Sequence, residues 1–269
     1  MAWHTTTQVA EKDYRISEPM GAIEPRAGLT TVNIYLVIGR ESAALIDSGL
    51  GIGDLCAEIG RITSLPCTVL NTHYHWDHIG ANAFFDEIAI HECEVGLLAQ
   101  EPDLSFIRQV MHSPAARAVL PSSFDPTIYR ILPKAPTRVL YDNDLIDLGG
   151  RVLRVLHIPG HSPGHVAYLD ESNGVLFTGD TAYPGPVYAC FEGCDPIAFA
   201  NSVNRLAALP NVRMICPGHN NIIADQGWLS KLAECVEAAI AGRVLGQPRD
   251  GFIVGQEYCF GSFSVWLPR

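Results

Sequence analysis

The sequence predicts a single α/β domain. Three observations support this. Short runs of β-branched and aromatic residues alternate with helical stretches along the 269 residues. Two segments of similar wording, YLVIGRESAALIDSG and AYLDESNGVLFTGD, both read as hairpins that end in an aspartate, Asp47 and Asp180. That echo suggests two β-rich halves. No Gly/Ser-rich or charge-run linker divides the chain, so one domain over 1–269 is expected.

The elements follow in order. Val32–Ile38 is rich in β-branched and aromatic residues, Gly39 and Arg40 turn the chain, and 43–47 returns as the second strand. A helix is expected from 49–53 through Ile62, then a short buried strand at 67–71 and another at Glu87–His91. Residues 92–136 mix helical patches with six prolines at 102, 114, 121, 126, 133 and 136, which break any continuous helix. This segment, around 97–136, reads as a lid-like insertion. Its apolar residues Phe106, Ile107, Val110, Met111, Leu120, Phe124, Ile128, Tyr129 and Ile131 look exposed and suited to line a greasy pocket. The competing reading is that they pack on the scaffold or on a subunit partner. Strands follow at 138–148 and 152–158, and a second hairpin pairs Val166–Asp170 with 175–178 around 172–174. Asp195-Pro196 is a helix start, with the acid at the N-cap and proline at the first helical position. Ala200, Val203, Leu206 and Ala207 then share one helical face. A strand at 212–216, a helix at 226–244 and a hairpin over 253–267 broken at Gly261 complete the chain.

Composition excludes several functions. Eighteen basic against 29 acidic residues give a net charge of −11, the wrong sign for a surface that tracks phosphates, so no nucleic-acid partner is expected. No apolar run approaches the roughly 20 residues that span a bilayer. The polar opening, Met1 to Arg15, has no signal-peptide character. Of the eight cysteines, Cys67, Cys216 and Cys259 sit singly in apolar runs, and Cys190 and Cys194 read as loop residues. This pattern fits buried, reduced thiols in the cytoplasm rather than a disulfide framework.

The chemistry concentrates in Thr72-His73-Tyr74-His75-Trp76-Asp77-His78. Three histidines and one aspartate fall within six residues, directly after a predicted buried strand. In extended backbone His73 and His75 share a face and can converge on one ion. Asp77 and His78 lie where the chain turns and can reach a second point. Packing that many titratable groups beside a buried strand is costly unless a cation pairs them. His161 in PGHSPGH, Asp180 in TGD and His219 in CPGH sit at later strand ends among glycine and proline. Five His and two Asp suffice for two open ions, and imidazole with carboxylate suits zinc. His4, His91, His112, His157 and His165 are read as surface or satisfied core residues.

HYHWDH, followed in order by PGH, TGD and a second PGH, resembles the metallo-β-lactamase superfamily over roughly 32–220. The resemblance implies an αββα sandwich, two mixed sheets flanked by helices. It implies one metal on His73, His75 and His161, a second on Asp77, His78 and His219, and Asp180 bridging them. Asp47 matches a family position that braces the histidine loop. Two Zn²⁺ per chain are expected, with iron or manganese as alternatives.

Two such ions can hold a shared water as hydroxide, and Asp77 beside it can orient it or carry a proton. The natural reaction is hydrolysis of a lactone, ester or thioester of a small molecule with an apolar acyl part. The resemblance also admits a β-lactam hydrolase and an iron-dependent sulfur dioxygenase. Tyr183, three residues after Asp180, either donates to a developing oxyanion or packs its loop beside Pro184 and Pro186. Its spacing resembles the lactonase and acyl-CoA thioesterase-like branches. Glyoxalase II-like enzymes fit less well, because only about 50 residues follow His219 and they hold one lysine. A homodimer is a further expectation.

Overall fold

A computed structural model describes residues 2–225, 227–251 and 253–269. Met1, at the head of the polar opening, and Gln226, where the helix 226–244 was expected to begin, lie outside the described residues. The chain divides into two compact units, 1–140 with 147–151, and 141–146 with 152–269.

The first unit carries a seven-stranded sheet whose strands lie in chain order: β1 (Thr5–Ala10), β2 (Asp13–Glu18), β3 (Val32–Ile38), β4 (Ala43–Ile46), β5 (Cys67–Leu70), β6 (Glu87–His91) and β7 (Arg138–Leu140). Pairing is antiparallel from β1 to β4 and parallel from β4 to β7. The predicted hairpin is β3–β4, and its residues are almost all buried, as expected of an apolar run covered on both faces. The β1–β2 hairpin was not predicted. Its TTTQVA strand is largely exposed at the sheet edge, so it lacks the apolar alternation that marks a half-buried strand.

Five short helices belong to this unit: α1 (Met20–Ile23), α2 (Leu55–Gly60), α3 (Val95–Leu98), α4 (Ser105–Met111) and α5 (Pro114–Val119). α2 starts later than the sequence suggests. Gly49 and Gly51 adopt φ of +64° and +67°, which keeps 49–53 in a loop, and Asp54 then caps the helix at the Ala57 N–H. The 92–136 segment is indeed helical and proline-broken. Its apolar residues are not uniformly exposed, however. Ile107, Met111, Tyr129 and Ile131 are buried, whereas Phe106 and Ile128 are exposed. α4 and α5 pack on α1, and the Tyr129 hydroxyl donates to the Leu50 carbonyl at 2.6 Å.

The second unit holds two sheets. One has the order β13-β11-β10-β9-β8, from β8 (Leu145–Asp147), β9 (Val152–His157), β10 (Val166–Asp170), β11 (Val175–Gly179) and β13 (Met214–Pro217). The other has the order β12-β16-β15-β14, from β12 (Gly185–Tyr188), β14 (Gln247–Arg249), β15 (Gly255–Cys259) and β16 (Phe263–Leu267). α6 (Pro196–Ala207) and α7 (Trp228–Ile240) pack on each other. Asp195 caps α6 at the Ile197 and Ala198 N–H groups, as its Asp-Pro start requires.

The α/β class therefore holds, with three sheets rather than two among the described residues. The expected strand 138–148 is two strands in two different sheets, β7 and β8. Asp142-Asn143-Asp144 breaks it: Asn143 is left-handed at φ +66°, and the Asp144 carboxylate accepts the Tyr141 N–H at 3.0 Å. Within 183–194, β12 pairs in parallel with β16, a strand that Gly185-Pro186 concealed as a turn. The eight cysteines are free. Only Cys216 is fully buried, and Cys259, expected inside, is exposed at the end of β15. No helix among the described residues is long and apolar enough to cross a membrane.

Candidate functional site

In the first unit the site is one loop. β5 ends at Leu70, and the Asn71 N–H donates to the Ala89 carbonyl of β6, so the ladder runs one residue past the strand before the chain leaves it. His73, His75 and His78 then cluster, with ring centroids 4.5 Å apart for His73–His75 and 4.3 Å for His73–His78. The His78 N–H closes back on the His75 carbonyl at 2.9 Å, and the resulting turn puts Asp77 Oδ2 3.7 Å from His78 Nε2. The turn expected at Asp77 and His78 is present, over 76–78.

Asp47 holds this loop from β4. It sits at φ +62°, a conformation that aspartate tolerates better than most residues. Its Oδ1 accepts the Thr72 N–H at 2.7 Å, and its Oδ2 accepts the Thr72 hydroxyl at 2.9 Å and His78 Nδ1 at 2.8 Å. The Thr72 hydroxyl gives its one proton to Asp47, so it accepts from His73 Nδ1 at 2.9 Å. These bonds select the tautomer in which His73 and His78 carry the Nε2 lone pair. Gly51 and Gly80 let the 47–53 loop press against the histidine loop. A Cβ on Gly51 would lie 2.3 Å from the Gly80 carbonyl oxygen.

In the second unit three separate segments bring candidate ligands together. His161 follows β9 in a tight turn. Gly160 holds φ +130° there, and a Cβ would strike the Phe199 backbone at 2.3 Å. His161 Nδ1 donates to the Tyr188 carbonyl at 2.7 Å. Asp180 follows β11, and His219 follows β13. Asp180 Oδ2 lies 3.6 Å from His161 Nε2 and 3.1 Å from His219 Nε2. Tyr183 is fully buried, its ring edge-on to His219 at 5.4 Å. Asn220, left-handed at φ +60°, donates to the Pro184 carbonyl at 2.7 Å and ties the Tyr183 segment to the His219 turn.

The donor set fits metal ions. His161 gives its Nδ1 proton to a carbonyl, so in the neutral form its Nε2 lone pair points at a carboxylate oxygen. His78, with Nδ1 on Asp47, does the same toward Asp77. In that form acceptor faces acceptor in a buried place, an arrangement that suits a cation. A ligating histidine that gives its other N–H to a carbonyl or carboxylate is the usual outer support. The nearby thiols are not part of this. Burial pushes Cys190 up to about 12 and Cys194 up to about 11, so neither supplies a ready thiolate. Two residues the sequence reading passed over hydrogen-bond to candidate ligands, Thr72 and His165. His165 is a satisfied core residue as expected, but what satisfies it is the Asp180 N–H, accepted at Nε2 at 3.0 Å. The repeated PGH of PGHSPGH was the available signal.

Mixed sheets with clustered histidine and aspartate side chains at their strand ends fit a metal-dependent hydrolase class. The chain belongs to the metallo-beta-lactamase superfamily, whose family model matches residues 27–219. It is 32% identical over 225 residues to the acyl-coenzyme A thioesterase MBLAC2 of Bos taurus, covering 76% of this chain and 80% of that one. It is 29% identical over 245 residues to a hydroxyacylglutathione hydrolase of Synechococcus sp. (strain JA-3-3Ab), covering 87% and 84%. The metallo-beta-lactamase family protein TTHA1429 from Thermus thermophilus superposes with a TM-score of 0.64 at 25% identity, covering 87% and 82%. TTHA1623, solved in a di-iron-bound form, gives a TM-score of 0.53 at 30% identity, covering 75% and 93%. The chain is an enzyme of the hydrolase class. Glyoxalase II-like enzymes, expected to fit less well, are nonetheless among the relatives, with similarity that reaches across most of both chains.

Proposed function

We propose that this enzyme hydrolyses a thioester of a small acyl donor, with two metal ions held by His73, His75, Asp77, His78, His161, Asp180 and His219. The observation that carries the metal part is the buried acceptor-to-acceptor approach of His161 Nε2 and Asp180 Oδ2 at 3.6 Å. The thioester part is supported by the relatives, named for acyl-coenzyme A and for hydroxyacylglutathione, since coenzyme A and glutathione both carry their acyl groups on sulfur.

His73, His75 and His161 are assigned to one ion, Asp77, His78 and His219 to the other, and Asp180 to both. Bound ions of this kind supply a water of lowered pKa and polarise the acyl carbonyl. The chain's own groups do the rest. The Asp77 carboxylate accepts a hydrogen bond from the attacking water and takes its proton. The Tyr183 phenol donates to the oxygen on which charge develops. The leaving thiolate has an ordinary pKa near about 8.5, so it departs with little help from an acid. That demand suits a site whose candidate proton carrier is one carboxylate.

Zinc suits imidazole and carboxylate donors and hydrolyses without redox chemistry. The di-iron form of TTHA1623 favours iron as the second reading of the metal. Eight free cysteines support a reducing compartment, the cytoplasm.

The test uses protein of defined metal content against acyl-coenzyme A, acylglutathione, lactone and β-lactam panels, with oxygen uptake on a persulfide in parallel. The expected result is two ions per chain and thioesters cleaved fastest. A single ion per chain, or oxygen uptake without thioester cleavage, would overturn the proposal.

A further inference from the structure

We infer that His165 is a positioning residue for Asp180, acting through the Asp180 backbone rather than on substrate or metal. The inference rests on the metal reading above.

The placement comes from strand register. β10 and β11 pair antiparallel with Tyr168 opposite Phe177, Leu169 opposite Leu176 and Asp170 opposite Val175. Continued three residues past Tyr168, that register sets His165 opposite Asp180. A ladder bond between the two backbones is not what forms there. The His165 carbonyl already accepts the Ile158 N–H at 2.8 Å, and β11 departs from regular pairing with β13 between Phe177 and Gly179. The Asp180 N–H is met instead by the His165 ring, at Nε2 and 3.0 Å. The ring is fully buried.

Direction follows from the donor. A backbone N–H can only donate, so Nε2 must present its lone pair and the ring proton must sit on Nδ1, where the Thr181 hydroxyl lies at 3.5 Å. A neutral imidazole meets the need without adding charge. A carboxylate in its place would set a second negative group beside Asp180. Fixing that N–H orients the Asp180 peptide just after the left-handed Gly179, at φ +49°, and so aims the carboxylate at His161 and His219. His165 also stacks edge-on against His161 at 5.6 Å, so one ring braces both neighbours. The motif PGHSPGH thus places a ligand first and a support four residues later.

The experiment uses the full-length, metal-loaded enzyme. ¹⁵N-labelled histidine in the unsubstituted protein reads the tautomer, and Nδ1–H is expected at residue 165. His165→Leu removes the acceptor, while His165→Gln can return an acceptor oxygen near the Nε2 position. Removal of metal by a competing chelator should need about 10–100-fold less chelator for the Leu variant, the usual cost of losing such a support. The Gln variant should recover most of that loss, and its kcat should recover with KM little changed. If the Leu variant does not fold, the tautomer and the Gln variant decide. An Nε2–H tautomer, or a folded Leu variant with unchanged metal retention, overturns the inference. Asp180→Ala, run alongside, separates the two claims. If Asp180→Ala retains metal fully, the metal reading itself fails. If Asp180→Ala loses metal and His165→Leu does not, only the role of His165 fails.

Discussion

The two units prepare their candidate ligands in opposite ways. In the first, four ligand candidates come from one six-residue loop, and one carboxylate, Asp47, grips that loop at Thr72 and His78. In the second, His161, Asp180 and His219 come from three strand ends about 20 to 40 residues apart, and each has its own support. His161 leans on the Tyr188 carbonyl, Asp180 on His165, and His219 faces Tyr183. A contiguous loop can be secured by one buried hub. A dispersed set needs a separate contact for each member, so its failures should be local. Asp47 and Asp180 both follow the second strand of a hairpin, yet one supports ligands and the other is proposed as one.

The largest effect should come from Asp180→Ala. Losing the carboxylate that approaches two imidazoles should release metal and bring turnover near background. Elemental analysis and a thioesterase assay check this. Full turnover in that variant would remove Asp180 from the ligand set. Next, Tyr183→Phe should lower kcat on the order of 10²-fold, the worth of one oxyanion donor, with metal content unchanged. An unchanged rate would return Tyr183 to packing against His219.

Asp47→Asn tests the hub. Asparagine keeps the shape and tolerates the left-handed backbone, but its amide nitrogen cannot accept. Metal affinity should fall about 10–100-fold, with chelator competition as the measurement. The loss should reach His73 and His78 together, whereas the supports in the second unit should fail one at a time.

The smallest effects concern 97–136. Met111 is fully buried, so Met111→Ala should cost about 2–5 kcal/mol of stability, read as a lower Tm, rather than change substrate preference. Phe106 is 39% exposed, with the Arg26 guanidinium over its ring at 3.2 Å. If it meets the acyl chain, rate should rise with chain length by up to about 0.8 kcal/mol per buried methylene. Phe106→Ala should then flatten that trend and spare short substrates. A flat profile in the unsubstituted enzyme would make the segment scaffold.

Much of this was legible in residue order. Local chemistry dictates the β3–β4 and β10–β11 hairpins, the Asp195-Pro196 cap and the turn at Gly261, because the deciding groups lie within a few residues of one another. The HYHWDH loop was legible for the same reason. β1, β12 and β14 were not, since they are strands only because a partner pairs with them.

What the sequence determined by itself was the vocabulary of candidate ligands and the strand ends near which they lie, since both follow from residue type and local backbone preference. What the tertiary structure alone decided was which atoms of those residues are left to bind. Asp47 is 31 residues from His78, Tyr188 is 27 from His161, and His165 is 15 from Asp180. Only folding sets these contacts, and each one fixes which ring nitrogen holds a proton or where a carboxylate points. The same holds for Phe106 and Met111, both on α4, where tertiary packing rather than hydrophobicity chose the buried one.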